Sequence, residues 1–346
     1  MEKDLVNIEK FIEGAIFQKP TEAEFEKLAL EIFRYQFQNN KVYQEYVKAL
    51  GIDISKIKAL SAIPFLPISF FKSHKVICGE VKKNKTIFQS SSTTSDIPSK
   101  HIVEDVEIYK TSFRKGFELF YGDINEYCLL ALLPSYLERG NSSLVYMVND
   151  LIKDSQNPDS GFYMDNYEEL VAKLKENEVK GKKTLLIGVT YALLKLAEGY
   201  PMDLKNTIIM ETGGMKGRRE ELTRTEVHKK LADSFQLMAD SIHSEYGMTE
   251  LLSQAYSKGK GVFQCVPWMK VLVRDIYDPF SIVGSGQWSV VSQSGAINIV
   301  DLANINSCSF IATDDLGVLY QNGDFEVAGR LDSSDIRGCN IMASEL

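Results

Sequence analysis

The sequence predicts an α/β protein, and two observations carry that expectation. Short β-type runs alternate with helical stretches over most of the 346 residues, the pattern of a largely parallel sheet with helices on both faces. Past about residue 260 the helical pattern stops and turn-separated β-type runs take over, which reads as a smaller β-rich region closing the chain. The first fifty residues read as helices: Pro20-Thr21 followed by Glu24 is a helix start, and Phe25, Leu28, Ile32 and Phe33 recur at helical spacing. Next, IPFLPISFF (63–71) carries two prolines among large apolar residues, so it is expected to be extended and packed across the body. The β-type runs are IFQS (87–90), CLLALLP (128–134), TLLIGVT (184–190), TIIMET (207–212) and QLMADSI (236–242), and helical stretches are expected over 102–120, 142–154, 166–178 and 218–233. VLVRDIYDP, GQWSVVSQ, INIVDL, SFIATDDLGVLY and DFEVAG make up the β-rich end.

Composition narrows the function classes. Hydrophobic residues are 44% and charged residues 25% of the chain, ordinary for a globular protein. A net charge of −8 argues against a general nucleic-acid binder, which needs a basic face. No apolar run is long enough for a membrane span, and the charged start MEKDLVNIEKFIEG lacks the apolar stretch of a signal peptide. Cys78, Cys128, Cys265, Cys308 and Cys339 are odd in number and form no CxxC pair, which fits free thiols in a reducing cytoplasm better than disulfides or a zinc site. The four histidines show no metal-ligand spacing.

Four loop segments carry candidate chemistry. Ser90-Ser91-Ser92-Thr93-Thr94-Ser95 follows a β-type run; such a hydroxyl-rich turn can wrap a phosphate with N–H and O–H donors, and Lys100 could add charge. On its own it reads first as a polar surface loop. In Ser244-Glu245-Tyr246-Gly247-Met248-Thr249-Glu250, Tyr246 offers a flat face for a base, Gly247 permits a sharp turn, and Thr249 beside Glu250 suits a phosphate oxygen and a hydrated Mg²⁺. The plain alternative is a strand-end turn with a helix cap. Thr313-Asp314-Asp315-Leu316-Gly317 places a carboxylate at a strand end, suited to ribose hydroxyls or simply to a turn. The tail from Gly329-Arg330 to Arg337-Gly338-Cys339 sets two arginines with two aspartates, which alone reads as a solvated turn with an incidental thiol.

Taken in order, these segments resemble the adenylate-forming superfamily that includes acyl-CoA synthetases and firefly luciferase. SSTTS resembles its phosphate loop, SEYGMTE its YGxTE segment, TDDLG its TGD segment and GRLDSSDIRG its hinge, while ETGGMKG (211–217) is similar to its Gly-Gly loop beside adenine. FLPISFFKSHKV (65–76), LPSYLERGNSSLVYMV (133–148) and the late Arg-Gly-Cys are similar to the acyl-protein synthetase of bacterial bioluminescence, a fatty-acid-to-protein ligase. There are two departures. Ser92 and Ser95 stand where that loop normally has glycine, at a cost of roughly 1–2 kcal/mol each if the positions need a positive φ, and the hinge is one residue shorter.

The resemblance implies an adenylation body over 1–260 with N-terminal helices, a β-rich subdomain of the same body over 261–328, and a hinge with a short tail over 329–346, the superfamily's large C-terminal lid and its lysine being absent. It makes Ser90, Ser91, Thr93 and Thr94 the phosphate cradle, puts Gly213 and Gly214 beside adenine and Tyr246 against it, and gives Thr249 a phosphate, Glu250 the Mg²⁺, and Asp315 and Arg330 the ribose. Cys339 takes the place of the cysteine that carries the acyl group as a thioester. The implied activity is ATP-dependent activation of a carboxylic acid, a fatty acid in that family, followed by transfer to Cys339 and then to a partner such as an acyl reductase or acyl carrier. An acyl- or aryl-CoA ligase shares the adenylation half. A non-catalytic nucleotide- or acyl-binding homologue is the reading of a different class, to which the serines at 92 and 95 give weight.

Overall fold

The computed structural model describes residues 14–81, 85–90, 97–133, 141–213, 222–283 and 292–331. Helix α1 (Glu22–Asn39) starts on a capping box between Thr21 and Glu24, which satisfies N–H groups the first turn would leave bare. Asn40 ends it and caps α2 (Lys41–Ala49) by accepting from the Tyr43 N–H. The proline-rich segment that follows is extended at β1 (Leu66–Pro67), where it pairs in parallel with Ile311 and Ala312, before the single turn α3 (Phe70–Ser73). Strands β2 (Thr86–Gln89) and β3 (Lys100–Val103) form an antiparallel hairpin that is a two-stranded sheet of its own.

The centre alternates as the sequence expects. Helix α4 (Val106–Tyr121), β4 (Cys128–Leu132), α5 (Ser143–Asp154), β5 (Gly161–Tyr163), α6 (Tyr167–Val179), β6 (Thr184–Gly188), α7 (Thr190–Gly199), β7 (Thr207–Glu211), α8 (Arg224–Phe235) and β8 (Ile242–Tyr246) follow one another. Strands β5-β4-β6-β7-β8 lie side by side and every pair is parallel. All five residues of β4 and of β6 are buried, as expected of parallel strands covered on both faces.

The β-rich end is β9 (Ala255–Ser257), β10 (Val262–Cys265), β11 (Met269–Arg274), β12 (Ser292–Asp301), β13 (Phe310–Tyr320) and β14 (Phe325–Arg330). These strands are antiparallel, and β10 joins β9 on one side to β14 on the other, so the sheet runs unbroken from β5 to β11. The switch from parallel to antiparallel pairing within this sheet falls between β8 and β9.

Two expectations for the central elements are corrected, and one helix was missed. The stretch 102–120 is strand up to Val103 and helix only from Val106. In 236–242 the strand begins at Ile242, behind a short 3₁₀ turn. Helix α7 was not among the expected helical stretches: it is only ten residues long, and buried Ala192, Leu193, Leu194, Leu196 and Ala197 make it mostly apolar.

Two buried polar side chains fasten distant parts of this frame. Gln36 of α1 donates to the carbonyls of Asn304 and Ile305 and to Ser309 Oγ, and accepts from the Ser309 N–H. Glu211, at the end of β7, accepts from Thr190 Oγ1 and the Gly213 N–H at 2.9 Å and from Arg224 Nε at 3.4 Å. Arg224 in turn lies 4.8 Å over the Phe263 ring and donates to the Val327 carbonyl, tying α8 to β10 and β14. Desolvation acts to raise the Glu211 pKa, but His228, the Arg224 charge, the Gly213 N–H and Ser244 together bring it down from 4.5 to about 2. A carboxylate whose pKa is depressed on folding stabilises the fold above its unfolded value, and that contribution fades as pH falls through the folded one. Glu211→Gln is expected to destabilise the protein by on the order of 2–3 kcal/mol near neutral pH. In denaturant titrations the deficit should shrink steadily as pH drops from 4.5 toward about 2; a deficit independent of pH would remove the charged clamp.

Candidate active site

Register decides where the loops go. Leu132 pairs with Gly188, Gly188 with Glu211, and Glu211 with Ser244, so the carboxyl ends of β4, β6, β7 and β8 fall on one edge of the sheet. Ligands of open α/β sheets gather along such an edge. Residues 188–190, 211–213 and 246–250 emerge there side by side. Gly213 turns with φ +72°, a conformation that favours glycine; its N–H is held by Glu211 and its carbonyl by the Thr190 N–H at 2.9 Å.

Next along the edge, Tyr246 donates its hydroxyl to Asp315 Oδ2 at 2.8 Å, and Arg330 Nε reaches Asp315 Oδ1 at 2.9 Å. One carboxylate on β13 thus joins the ends of β8 and β14. Asp315 is buried while the Arg330 side chain stays 55% exposed, so the guanidinium faces open space with its root fixed. Asp315 does not sit at a strand end, as the sequence suggests. It lies inside β13, just before the register shift at Leu316/Gly317, and it pairs directly with Arg330 across the sheet. The Tyr246 ring packs against Phe263 and Phe325 and is 8% exposed.

Beyond Tyr246 the chain turns, and buried side chains hold that turn. Asp301 accepts from the Leu252 N–H at 2.7 Å, from Ser253 Oγ at 2.6 Å, and from the Ser253 and Ala303 N–H groups; burial outweighs these bonds and pushes its carboxyl up to about 6. Asn304 Nδ2 donates to the Glu250 carbonyl at 2.7 Å, and His101 Nδ1 lies 2.8 Å from the Thr249 carbonyl. The Glu250 carboxyl is raised by burial, against the lowering effects of the Ser99 hydroxyl and of Arg330 and Lys72. Burial first and Glu211 second push the neighbouring Glu245 up to about 8. Ser99 also closes the hairpin: its N–H donates to Ser90 Oγ at 2.9 Å, and the Ser90 N–H to its carbonyl.

The hairpin base at Ser90, the Thr249–Glu250 turn, and Asp315 with Arg330 therefore meet in one place. The hydroxyl-rich segment lies between two strands, not between a strand and a helix, and Lys100 is the exposed first residue of β3. Ser91, Thr93, Thr94, Gly214 and Cys339 lie outside the described residues. His101, Asp301, Asn304 and Arg224 were not singled out from sequence, since each acts through a bond to a residue well separated in the chain.

The donor set fits a nucleotide with a hydrated divalent ion. Each Asp315 oxygen holds one protein donor and keeps a lone pair for a ribose hydroxyl. Glu250 supplies one poorly solvated carboxylate, which suits a metal whose other ligands are phosphate oxygens and water. No cluster of three or more metal-ligating side chains occurs among the described residues. The thiols of Cys265 and Cys308 are pushed up to about 12 by burial, which makes them poor nucleophiles. No helix among the described residues is long and apolar enough to cross a membrane.

Comparison with curated proteins gives no match in sequence. The fold is shared with solved structures. MatB from Rhodopseudomonas palustris, solved with ATP bound, is similar with a TM-score of 0.52 and 14% identity over 70% of this chain and 47% of its own. O-succinylbenzoate Coenzyme A Synthetase (MenE) from Bacillus subtilis, in complex with ATP and magnesium ion, has a TM-score of 0.50 and 16% identity over 75% of this chain and 51% of its own. The chain thus spans about half the length of these structures, and over that half it has the adenylate-forming fold. The sequence profile of the family described as Acyl-protein synthetase, LuxE, matches residues 15–346. With nearly the whole chain inside that match, the protein belongs to the LuxE acyl-protein synthetase family.

Proposed function

We propose that the chain is an ATP-dependent acyl-protein synthetase that activates a long-chain fatty acid as an acyl-adenylate and passes the acyl group to a thiol. The observation that carries this reading is the convergence of Ser90, the Thr249–Glu250 turn, and Asp315 with Arg330 at the carboxyl edge of a parallel sheet. These residues come from three separate stretches of sequence, and the chemistry they share is phosphate and ribose recognition.

A carboxylate is a poor acyl donor because oxide would have to leave. One carboxylate oxygen of the acid attacks the α-phosphorus of ATP; the bond to the bridging oxygen breaks, pyrophosphate departs, and a mixed anhydride remains. The protein contributes position and charge. Asp315 holds the ribose, and Arg330, with its root fixed on Asp315, faces the departing negative charge. Glu250 would hold Mg²⁺, which neutralises phosphate charge when bound. In the second step a thiolate attacks the acyl carbon and AMP leaves, and Cys339 is the proposed thiol. A free cysteine with pKa about 8.5 is only a few per cent ionised near pH 7, so nearby Arg337 would raise the reactive fraction if the two side chains meet. Retention of the acyl group by the protein, for a later partner such as an acyl reductase, separates this reading from an acyl-CoA ligase.

Two measurements test this reading. With ATP and Mg²⁺, fatty acids should drive ATP–pyrophosphate exchange, and radiolabelled acid should become bound to the protein. Cys339→Ala should keep the exchange and lose the label; undiminished labelling, or stoichiometric transfer to free CoA with Cys339 dispensable, would overturn the protein-ligase assignment. Asp315→Asn should raise KM for ATP about tenfold or more and leave KM for the acid unchanged, so an unaltered ATP dependence would take Asp315 out of the nucleotide site.

A further inference from the structure

His101 does not belong to any of the loops that announce nucleotide chemistry, yet it is fully buried on β3 and touches the centre of the site. Its Nδ1 is 2.8 Å from the Thr249 carbonyl. A carbonyl oxygen only accepts, so Nδ1 must carry the proton. Asn304 donates through Nδ2 to the very next carbonyl, that of Glu250, at 2.7 Å, and this fixes which way its amide points. The two consecutive carbonyls that set the Thr249–Glu250 turn are thus each gripped by a buried side chain, one from the hairpin and one from the connector between β12 and β13.

The remaining polar atoms of the two grips, His101 Nε2 and Asn304 Oδ1, have no hydrogen-bond partner. Both residues line one small cavity of about 10 Å³, shared with Glu104, Asp105, Leu252 and Ala303, with room for at most about one water. Phe71 of α3 covers the imidazole edge-on at 5.6 Å. Burial lowers the His101 pKa to about 4, although Thr249 and Asn304 pull the other way. The ring is therefore neutral near pH 7, with one N–H committed to Thr249 and a lone pair toward the cavity.

We propose that His101 is a positioning residue for the adenylation step: through its Nδ1–H bond to the Thr249 carbonyl it locks the turn bearing Thr249 and Glu250 to the hairpin that carries Ser90. The assignment rests on the adenylate-forming reading given above. It explains why a buried histidine commits its Nδ1–H to the Thr249 carbonyl, a bond that joins the turn to the hairpin alongside the Ser99 contact with Glu250.

The test compares three replacements in the full chain by ATP–pyrophosphate exchange. His101→Asn keeps a donor near the Nδ1 position, His101→Gln moves it to the Nε2 position, and His101→Phe removes both. His101→Asn should exchange within a few-fold of the wild type. His101→Gln and His101→Phe should lose roughly 10- to 100-fold in kcat, the scale of a small misplacement of catalytic groups, with KM for the acid unchanged. Because Phe beside a polar cavity could fail to fold, the Asn–Gln contrast decides. Long-range ¹⁵N NMR should find Nδ1 protonated and Nε2 bare at pH 7. Equal activity of the Asn and Gln variants, or a bare Nδ1, overturns the assignment while leaving the adenylation reading standing. A wild-type chain inactive with every acid removes the adenylation reading and takes this assignment with it.

Discussion

The bond network around Asp315 is the constraint on which the site depends. Its two oxygens are taken by Tyr246 from β8 and by Arg330 from β14, so one buried carboxylate brings a parallel strand and an antiparallel strand together at their ends. Removing a buried carboxylate from such a pair strands its partners at a cost beyond the bonds themselves. The sheet cooperates. Strand β10 pairs with both β9 and β14, so the parallel and antiparallel portions cannot shift independently without breaking main-chain bonds.

Around that carboxylate the site has an inner and an outer layer of very different visibility. The inner layer, Tyr246, Thr249, Glu250, Asp315 and Arg330, consists of candidates that sequence could single out because they sit in short contiguous patterns with turn-forming neighbours. The outer layer was not. Asp301 reaches back 48 and 49 residues to the Ser253 and Leu252 N–H groups, and His101 reaches forward 148 residues to Thr249. Sequence periodicity carries no information on such pairings, because each is decided by how strands and connectors stack once the sheet has formed.

The fold was legible for the same local reasons and failed for local ones. Strands β4, β6 and β7 are continuous apolar runs that only a doubly covered parallel sheet accommodates. Helix α7 is short and mostly apolar, and β3 was taken into the helical stretch 102–120 because it is only four residues long and lies next to α4. Asp315 was read as a strand-end residue since Asp-Leu-Gly resembles a turn; the chain instead accommodates Gly317 at a register shift, where an added side chain would strike the Glu326 carbonyl at 2.3 Å.

The fastening of the N-terminal helices has a consequence for how the chain acquires its shape during synthesis. Gln36 is satisfied only by groups 268 to 273 residues later, Tyr43 stacks on Phe310, and β1 pairs with β13. As the ribosome emits the protein, the faces of α1 and α2 that pack on this later region stay uncovered until it has been made. Contacts so remote in sequence slow folding and prolong exposure of sticky surface.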